Sequence, residues 1–272
     1  AVMARRDLFF IHLSDPQFGM FEPLKKDYPE TPLVALAIER INALRPAFVL
    51  CTGDLVDVPR SDVQMNHARS MLEGLDPEIP FLPVPGNHDV GDEPTAEGLA
   101  WYRAAVGRDR YSFNHRGWHF TGLNSCVLAD GRAVPEQVAS QWTWLEEDLA
   151  RQASVRADGR VVFMHHPPFL EDPEEDEGYF NLPRGVRTRL IEMLRRHDVG
   201  LLLCGHLHRS HQVRTEGLEV LVAGPVGMPL GEGYSGLRLV TIRERRVRHD
   251  YFALDDTAGQ EAFLGLKRVK NN

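Results

Sequence analysis

The chain has 272 residues, a formal charge of −8, 43% hydrophobic and 26% charged residues, the composition of an ordinary soluble globular protein. An acidic balance argues against a nucleic-acid polymer as partner, which requires a basic stripe, and no uninterrupted apolar run is long enough to span a bilayer. No repeat, linker or composition break divides the chain, so a single domain over 1–272 is expected, with residues 1–6 flexible or left from cloning.

Short apolar runs alternate with longer helical patterns, which points to layered α/β structure. Strands are predicted at 8–14, 47–52, 81–85, 118–124, 161–165 and 200–204. The run TPLVALAIERINALRP (31–46) predicts a helix, with Thr31 as its cap, Pro32 in its first turn and Pro46 just past its end. A second helix is predicted over 135–152, where Val138, Trp142, Leu145 and Leu149 recur at helical spacing and belong to the core. A third is predicted over 184–197. After residue 210 come short runs at 219–223, 236–243 and 247–253 with glycine-rich turns, read as antiparallel strands completing a second sheet. The expected architecture is two sheets face to face with helices outside. Cys51, Cys126 and Cys204 are odd in number and show no paired zinc spacing, which favours a reducing cytoplasm. Cys51 and Cys204 lie in apolar runs and are expected to pack as small hydrophobes.

Five motifs follow the strands in order: DPQ (15–17), GDLVD (53–57), GNHD (86–89), HHPP (165–168) and GHLH (205–208). Each has a plain structural explanation by itself. GNHD can be a turn, HHPP a strand end stopped by prolines, GHLH two histidines alternating across a strand. Together they place carboxylates, amides and imidazoles along one edge of an α/β sheet, where such sheets hold ligands. These are donors for hard and borderline cations, with no thiolate among them.

The order D-x-[H/Q], GD-x-x-D, GNH-[D/E], H-x-P-P, GH-x-H resembles that of the calcineurin-like metallophosphoesterases. DPQFG, GNHDVGDEPTAE, LNS, the acidic run into YFNL, GHLHR, GLRLV and YFALDD are similar to one branch of that family, which includes a cytoplasmic serine/threonine-protein phosphatase. The resemblance implies an α/β, four-layer α/β/β/α sandwich of two mixed sheets flanked by helices, with a dinuclear metal site at the strand C-terminal ends. It implies one metal on Asp15, Gln17, Asp54 and His208, and a second on Asp54, Asn87, His165 and His206. His165 is preferred to His166 because family members with a different second residue retain the first; His166 then shapes the site, touches substrate or packs.

The implied cofactor is two divalent or mixed-valence ions, with Mn2+, Fe or Mg2+ ahead of zinc. In the implied reaction a metal-bridging hydroxide attacks phosphorus in line, His88 protonates the leaving alkoxide, and Asp57 holds His88 oriented. Asn87, His88, His166 and Arg209 are candidate substrate contacts. Arg209 and Arg60 either reach a phosphate or stay at the surface. Gln17 stands where the family usually has histidine. Its amide oxygen can reach the same cation as a weaker donor, so the first metal is expected to be bound less firmly. His12 is expected to be buried and hydrogen-bonded, while His67, His115, His119, His197, His211 and His249 have no ligand-like companions.

The implied function is a phosphomonoesterase of the serine/threonine-protein phosphatase kind, acting on a phosphoprotein or small phosphoester. The same metal core serves cyclic-nucleotide phosphodiesterases and nucleotide-diphosphate hydrolases. A non-catalytic binding protein is the least expected reading, since every ligand position holds a competent donor. Loops at 20–31, 58–66 and 167–183 decide between substrates. The run EDPEEDEG (171–178) is either a solvated loop or a contact for basic peptides.

Overall fold

The computed structural model describes residues 7–22, 24, 27–154 and 159–266, so the segment 1–6 set apart above lies outside the described residues. Strand β1 (Leu8–Leu13) is buried along its whole length, as a strand covered on both faces must be. It runs parallel to β2 (Val49–Cys51), which runs parallel to β3 (Phe81–Pro83). Helices α1 (Thr31–Leu44) and α2 (Asp62–Leu72) cross between them, and α3 (Asn87–Val90) and α4 (Ala96–Ala105) follow. A six-stranded sheet then forms from β4 (Tyr111–His115), β5 (Trp118–Gly122), β6 (Gly159–Phe163), β7 (Leu201–Cys204), β8 (His211–Thr215) and β9 (Leu218–Val222), in the order β4-β5-β6-β7-β9-β8. Its crossovers carry α5 (Cys126–Ala129), α6 (Pro135–Ser154) and α7 (Arg184–Arg196). Finally β10 (Gly236–Arg243) and β11 (Arg246–Ala253) return to the first sheet, giving β11-β10-β1-β2-β3, and α8 (Thr257–Leu264) follows.

Alternation along β1 explains the layers. Leu8 and Phe10 point into the space between the sheets, where they meet Phe48, Phe120, Phe163 and Leu203. Phe10 stacks on Phe48 at 5.1 Å and meets Phe120 edge-on at 5.6 Å. Each such buried ring contributes about 1.5–3 kcal/mol. Phe9, Ile11 and Leu13 point the other way, against Val34, Ile38 and Ile41 of α1 and Met65 of α2. On the far side Trp142, Leu145 and Leu149 of α6 and Leu190 and Leu194 of α7 cover Val162, Leu202 and Val220. The result is helix, sheet, sheet, helix, as the motif order implied. No helix among the described residues is long and apolar enough to cross a membrane.

Two expectations need correction. The late strands do not complete one sheet together. The 219–223 run is β9, parallel to β7, whereas β10 pairs antiparallel with β1 and carries β11 into the first sheet. Ladder partners, which hydropathy does not encode, decided this. Thr31 does not cap α1: Glu30 holds that position without a side-chain cap bond, and Thr31 Oγ1 instead meets His67 Nε2 at 2.9 Å. The helix stops at Leu44 because Arg45 turns left-handed (φ 51°) ahead of Pro46, a residue whose predecessor is steered out of helix. His119, expected to lack ligand-like companions, is buried and bonded to Asp148 at 2.8 Å, a structural contact. Asp148 also accepts from Thr121 (2.9 Å) and Ser112 (2.7 Å), tying α6 to β4 and β5.

Candidate metal centre

Five strands end at a common edge of the two sheets. Asp15 and Gln17 follow β1, Asp54 follows β2, Asn87 and His88 follow β3, His165 follows β6, and His206 and His208 follow β7. Both sheets therefore contribute, the first sheet giving oxygens and the second imidazoles. Asp15, Gln17, Asp54, His206 and His208 have φ of 53°, 36°, 55°, 74° and 50°. Side-chain-bearing residues adopt this region rarely, and such strain persists where surrounding contacts over-determine it. Those contacts are present: Asp15 N–H donates to Gly53 O (3.1 Å) and Gln17 N–H to Asp54 O (2.8 Å). His206 N–H donates to Asp15 Oδ2 (3.2 Å). A Cβ on Gly86 would lie 2.1 Å from Asp54 Oδ1, which accounts for the glycine of GNHD.

The imidazoles are oriented by carbonyls behind them. His165 Nδ1 donates to Thr52 O (2.6 Å), His206 Nε2 to Tyr179 O (2.9 Å) and His208 Nδ1 to Met228 O (2.9 Å). Each bond leaves the other ring nitrogen to face the centre, the arrangement of metal-ligating histidines. His165 Nε2 lies 3.2 Å from Asp54 Oδ2, 3.0 Å from Asn87 Oδ1 and 3.1 Å from His206 Nδ1. Asn87 spends its amide hydrogens on Asp92 Oδ1 (2.8 Å) and Tyr179 Oη (3.0 Å), so its oxygen turns inward. Across Asp54, His208 Nε2 lies 3.6 Å from Asp15 Oδ1. Gln17 Nε2 donates to Asp57 Oδ1 (3.1 Å).

Whether cations fit can be judged from what these atoms lack. Asp15 Oδ1, Gln17 Oε1 and Asp54 Oδ2 are all buried with no hydrogen-bond partner, a costly state for buried polar atoms. Asp54, His165 and His206 bring donor atoms within 4.8 Å of one another, and so do Asp15, Asp54 and His208. Two cations sharing Asp54 would satisfy all of them. The protonation pattern agrees. Burial works against charge on His165, but Asp54 outweighs it and raises the pKa to about 9. Burial and His165 push His206 down to about 3. Burial raises Asp15 above the usual carboxylate range, while for Asp54 the pairing with His165 overcomes burial and lowers it. A proton on His165 thus stands where a cation is able to serve all the ligands at once.

His88 is about one-third exposed, at the mouth of the centre. Its Nδ1 donates to the backbone carbonyl of Asp57 (2.7 Å), and the Asp57 carboxylate stands farther off, at 3.5 Å. The main contact of the expected partner is thus its carbonyl. Burial opposes the charged form of His88, but the Asp54 charge and the Asp57 carbonyl outweigh it and raise its pKa. His166 is buried, with Nδ1 2.9 Å from Ser125 Oγ and its ring 4.6 Å from that of His206. Arg209 is exposed, and Arg60 is engaged by Glu97 at 3.0 Å.

Three contributors escaped the motif reading. Asp89 accepts the N–H groups of Asp54, Leu55 and Gly86 at 2.8–2.9 Å and of Val56 at 3.3 Å, locking the GDLVD turn to the GNHD turn. Burial and the Asp54 charge push its pKa up to about 7, while four N–H donors all favour the carboxylate. Ser125 Oγ accepts from the N–H of both His165 (3.1 Å) and His166 (2.9 Å). Tyr179 touches two of the ligands. The acid closing GNHD was a visible signal for Asp89; Ser125 and Tyr179 act across 27 to 92 positions of chain, and nothing local marks them.

A two-sheet sandwich with two adjoining groups of potential cation ligands at its strand ends is the build of a metal-dependent phosphoesterase, and the chain belongs to the calcineurin-like phosphoesterase family, whose model matches residues 10–210. It is accordingly a phosphoester hydrolase of a dinuclear metal-dependent family. Serine/threonine-protein phosphatase CPPED1 of Danio rerio is 32% identical over 276 residues, covering 96% of this chain and 89% of the relative. A cAMP/cGMP dual specificity phosphodiesterase of Mycobacterium tuberculosis is 29% identical, covering 98% and 86%. A dimetal phosphatase from Danio rerio shares the fold with a TM-score of 0.66 at 13% identity, covering 91% of this chain and 96% of that one.

Proposed function

We propose that the chain is a phosphomonoesterase of the serine/threonine-protein phosphatase kind, with Asp15, Gln17, Asp54 and His208 holding one metal and Asp54, Asn87, His165 and His206 the other. The observation that carries this reading is the convergence of Asp15, Asp54, His165, His206 and His208 in two adjoining groups that share Asp54, with buried oxygens of Asp15 and Gln17 that have no hydrogen-bond partner. Its protein-phosphatase character is supported by the relatives named above. When bound, two divalent cations supply Lewis acidity toward phosphoryl oxygens and lower the pKa of water to near neutrality.

The chain's own residues do the rest. Asp54 lies between the two ligand groups and spaces them. Asn87 adds an oxygen without adding negative charge. With Nδ1 fixed on the Asp57 carbonyl, Nε2 is the nitrogen of the part-exposed His88 that can give a proton to a departing alkoxide. Asp57 is a positioning residue for His88 and, through its carboxylate, for the Gln17 amide. His166 shapes the wall beside His206. Mn2+, Fe or Mg2+ suits the oxygen-rich group better than zinc. A reducing cytoplasmic setting agrees with three free, buried cysteines.

Exposed Glu171, Asp172, Glu174 and Asp176 flank the segment that carries Tyr179 to the centre, so the preferred substrates are phosphorylated residues in basic peptides. The test is turnover of basic phosphopeptides, p-nitrophenyl phosphate, its bis ester and cyclic AMP with added Mn2+. Phosphopeptide and monoester turnover is expected to dominate. Neutralising those four acids should lower kcat/KM for the peptides more than for p-nitrophenyl phosphate. Faster turnover of the bis ester and cyclic AMP would establish the second reading, a cyclic-nucleotide phosphodiesterase, which the Mycobacterium relative favours.

A further inference from the structure

The segment 167–183 passes beside His206 and is held more firmly than an acidic loop needs to be. Arg187 of α7 is fully buried. Its Nη1 donates to the carbonyls of Pro173 (2.9 Å) and Glu175 (2.8 Å), and its Nη2 to that of Leu182 (3.0 Å). A buried guanidinium is tolerated only where its fixed fork of donors is used, so these three carbonyls are specified together. Glu175, the inward-turned acid of the run, accepts the N–H groups of Leu170 (2.8 Å) and Glu171 (2.9 Å) and the amide of Asn181 (2.6 Å). This frame delivers Tyr179, whose two polar atoms serve two different ligands: Oη accepts from Asn87 Nδ2 (3.0 Å) and the carbonyl accepts from His206 Nε2 (2.9 Å). One bond selects which end of an amide faces inward, and the other selects a histidine tautomer. Gln17 and His208 take their orientation elsewhere, from Asp57 and Met228.

We propose that 167–183 is a strap, with Tyr179 as a positioning residue that sets metal affinity on the Asn87–His165–His206 side and leaves the Asp15–Gln17–His208 side untouched. The proposal rests on the metal-centre reading above. Outer partners of metal ligands govern affinity by 10–100-fold. Since Tyr179→Phe keeps the carbonyl bond and Asp92 still holds Asn87, the low end, about tenfold, is expected.

The experiment is a Mn2+ titration of the chelator-treated full chain, followed by calorimetry and by the electron paramagnetic signal of bound Mn2+. Tyr179→Phe should weaken one binding step about tenfold and move the other less than about twofold. Arg187→Met, which touches no ligand, should weaken the same step, and the double variant should go no further than Arg187→Met alone, as expected of residues acting through one path. If circular dichroism shows that Arg187→Met does not fold, Glu175→Gln carries the same expectation. Parent-like affinity in Tyr179→Phe, equal loss at both steps, or full additivity in the double variant overturns the strap. A parent chain that takes up no Mn2+ refutes the metal centre and the strap with it, a result distinct from any of these.

Discussion

Asp15, Gln17 and His208 approach the centre from left-handed backbone, whereas among Asn87, His165 and His206 only His206 does so. The donors differ as well. The first side offers, with Asp54, three oxygens and one imidazole; the second offers, with Asp54, two oxygens and two imidazoles. Their supports differ again: His165 and His206 rest on the carbonyls of Thr52 and Tyr179, and Asn87 on two hydrogen-bond acceptors. Gln17 hangs on a single bond to Asp57, itself close to the reacting edge beside His88. A side that combines strain, weaker donors and fewer supports is expected to bind a cation less firmly. On the proposed ligand assignment, Gln17 is expected to mark the more readily exchanged of the two sites.

The largest expected effect comes from the residue both sides share. Asp54→Ala should empty both sites and abolish turnover, with metal content read by mass spectrometry; retention of one full equivalent would break the picture of a common ligand. His88→Ala should leave metal content intact and lower turnover of alkyl phosphate esters by about 10²–10⁴-fold. Loss on p-nitrophenyl phosphate should be smaller, because that leaving group departs without a proton. Equal losses on both substrates would sink the general-acid role.

Gln17→His should tighten the weaker site roughly tenfold, about 1.4 kcal/mol. Away from both sides, Asp148→Asn offers a measure of plain structural cost. Burial opposes the Asp148 charge, but the bonds from His119, Ser112 and Thr121 outweigh it and hold its pKa below the usual range. Its contribution is therefore present above the unfolded carboxylate pKa of about 3.9 and is lost as pH falls through the folded pKa. Asp148→Asn should destabilise the chain by about 1–3 kcal/mol near neutrality and converge with the parent in acid, as read by urea unfolding, with metal stoichiometry unchanged.

Much of this centre was legible in the chain because parallel strands deliver their C-terminal loops to one edge, so motif order survives as spatial order. DPQ, GDLVD and GNHD describe one wall of the site, HHPP and GHLH the other. What was not legible depends on pairing across distance. The β10–β11 hairpin joins β1 because of ladder partners over 220 positions away, and YSFNH and HQVRT form half-exposed edge strands whose polar composition hides them. Asp57 was expected behind His88, yet its carbonyl makes the shorter contact, because a five-residue motif does not reveal which oxygen faces the ring. Tyr179 was quoted only as part of YFNL, and its service to Asn87 and His206 follows from how Arg187 and Glu175 fold the acidic loop.

The inequality of the two sides is tested most directly by titrating chelator-treated parent and Gln17→His protein with Mn2+ side by side. Two unequal steps are expected in the parent, with the weaker one alone strengthened by the histidine. Two equal steps, or a weaker step that Gln17→His leaves unchanged, would contradict the account.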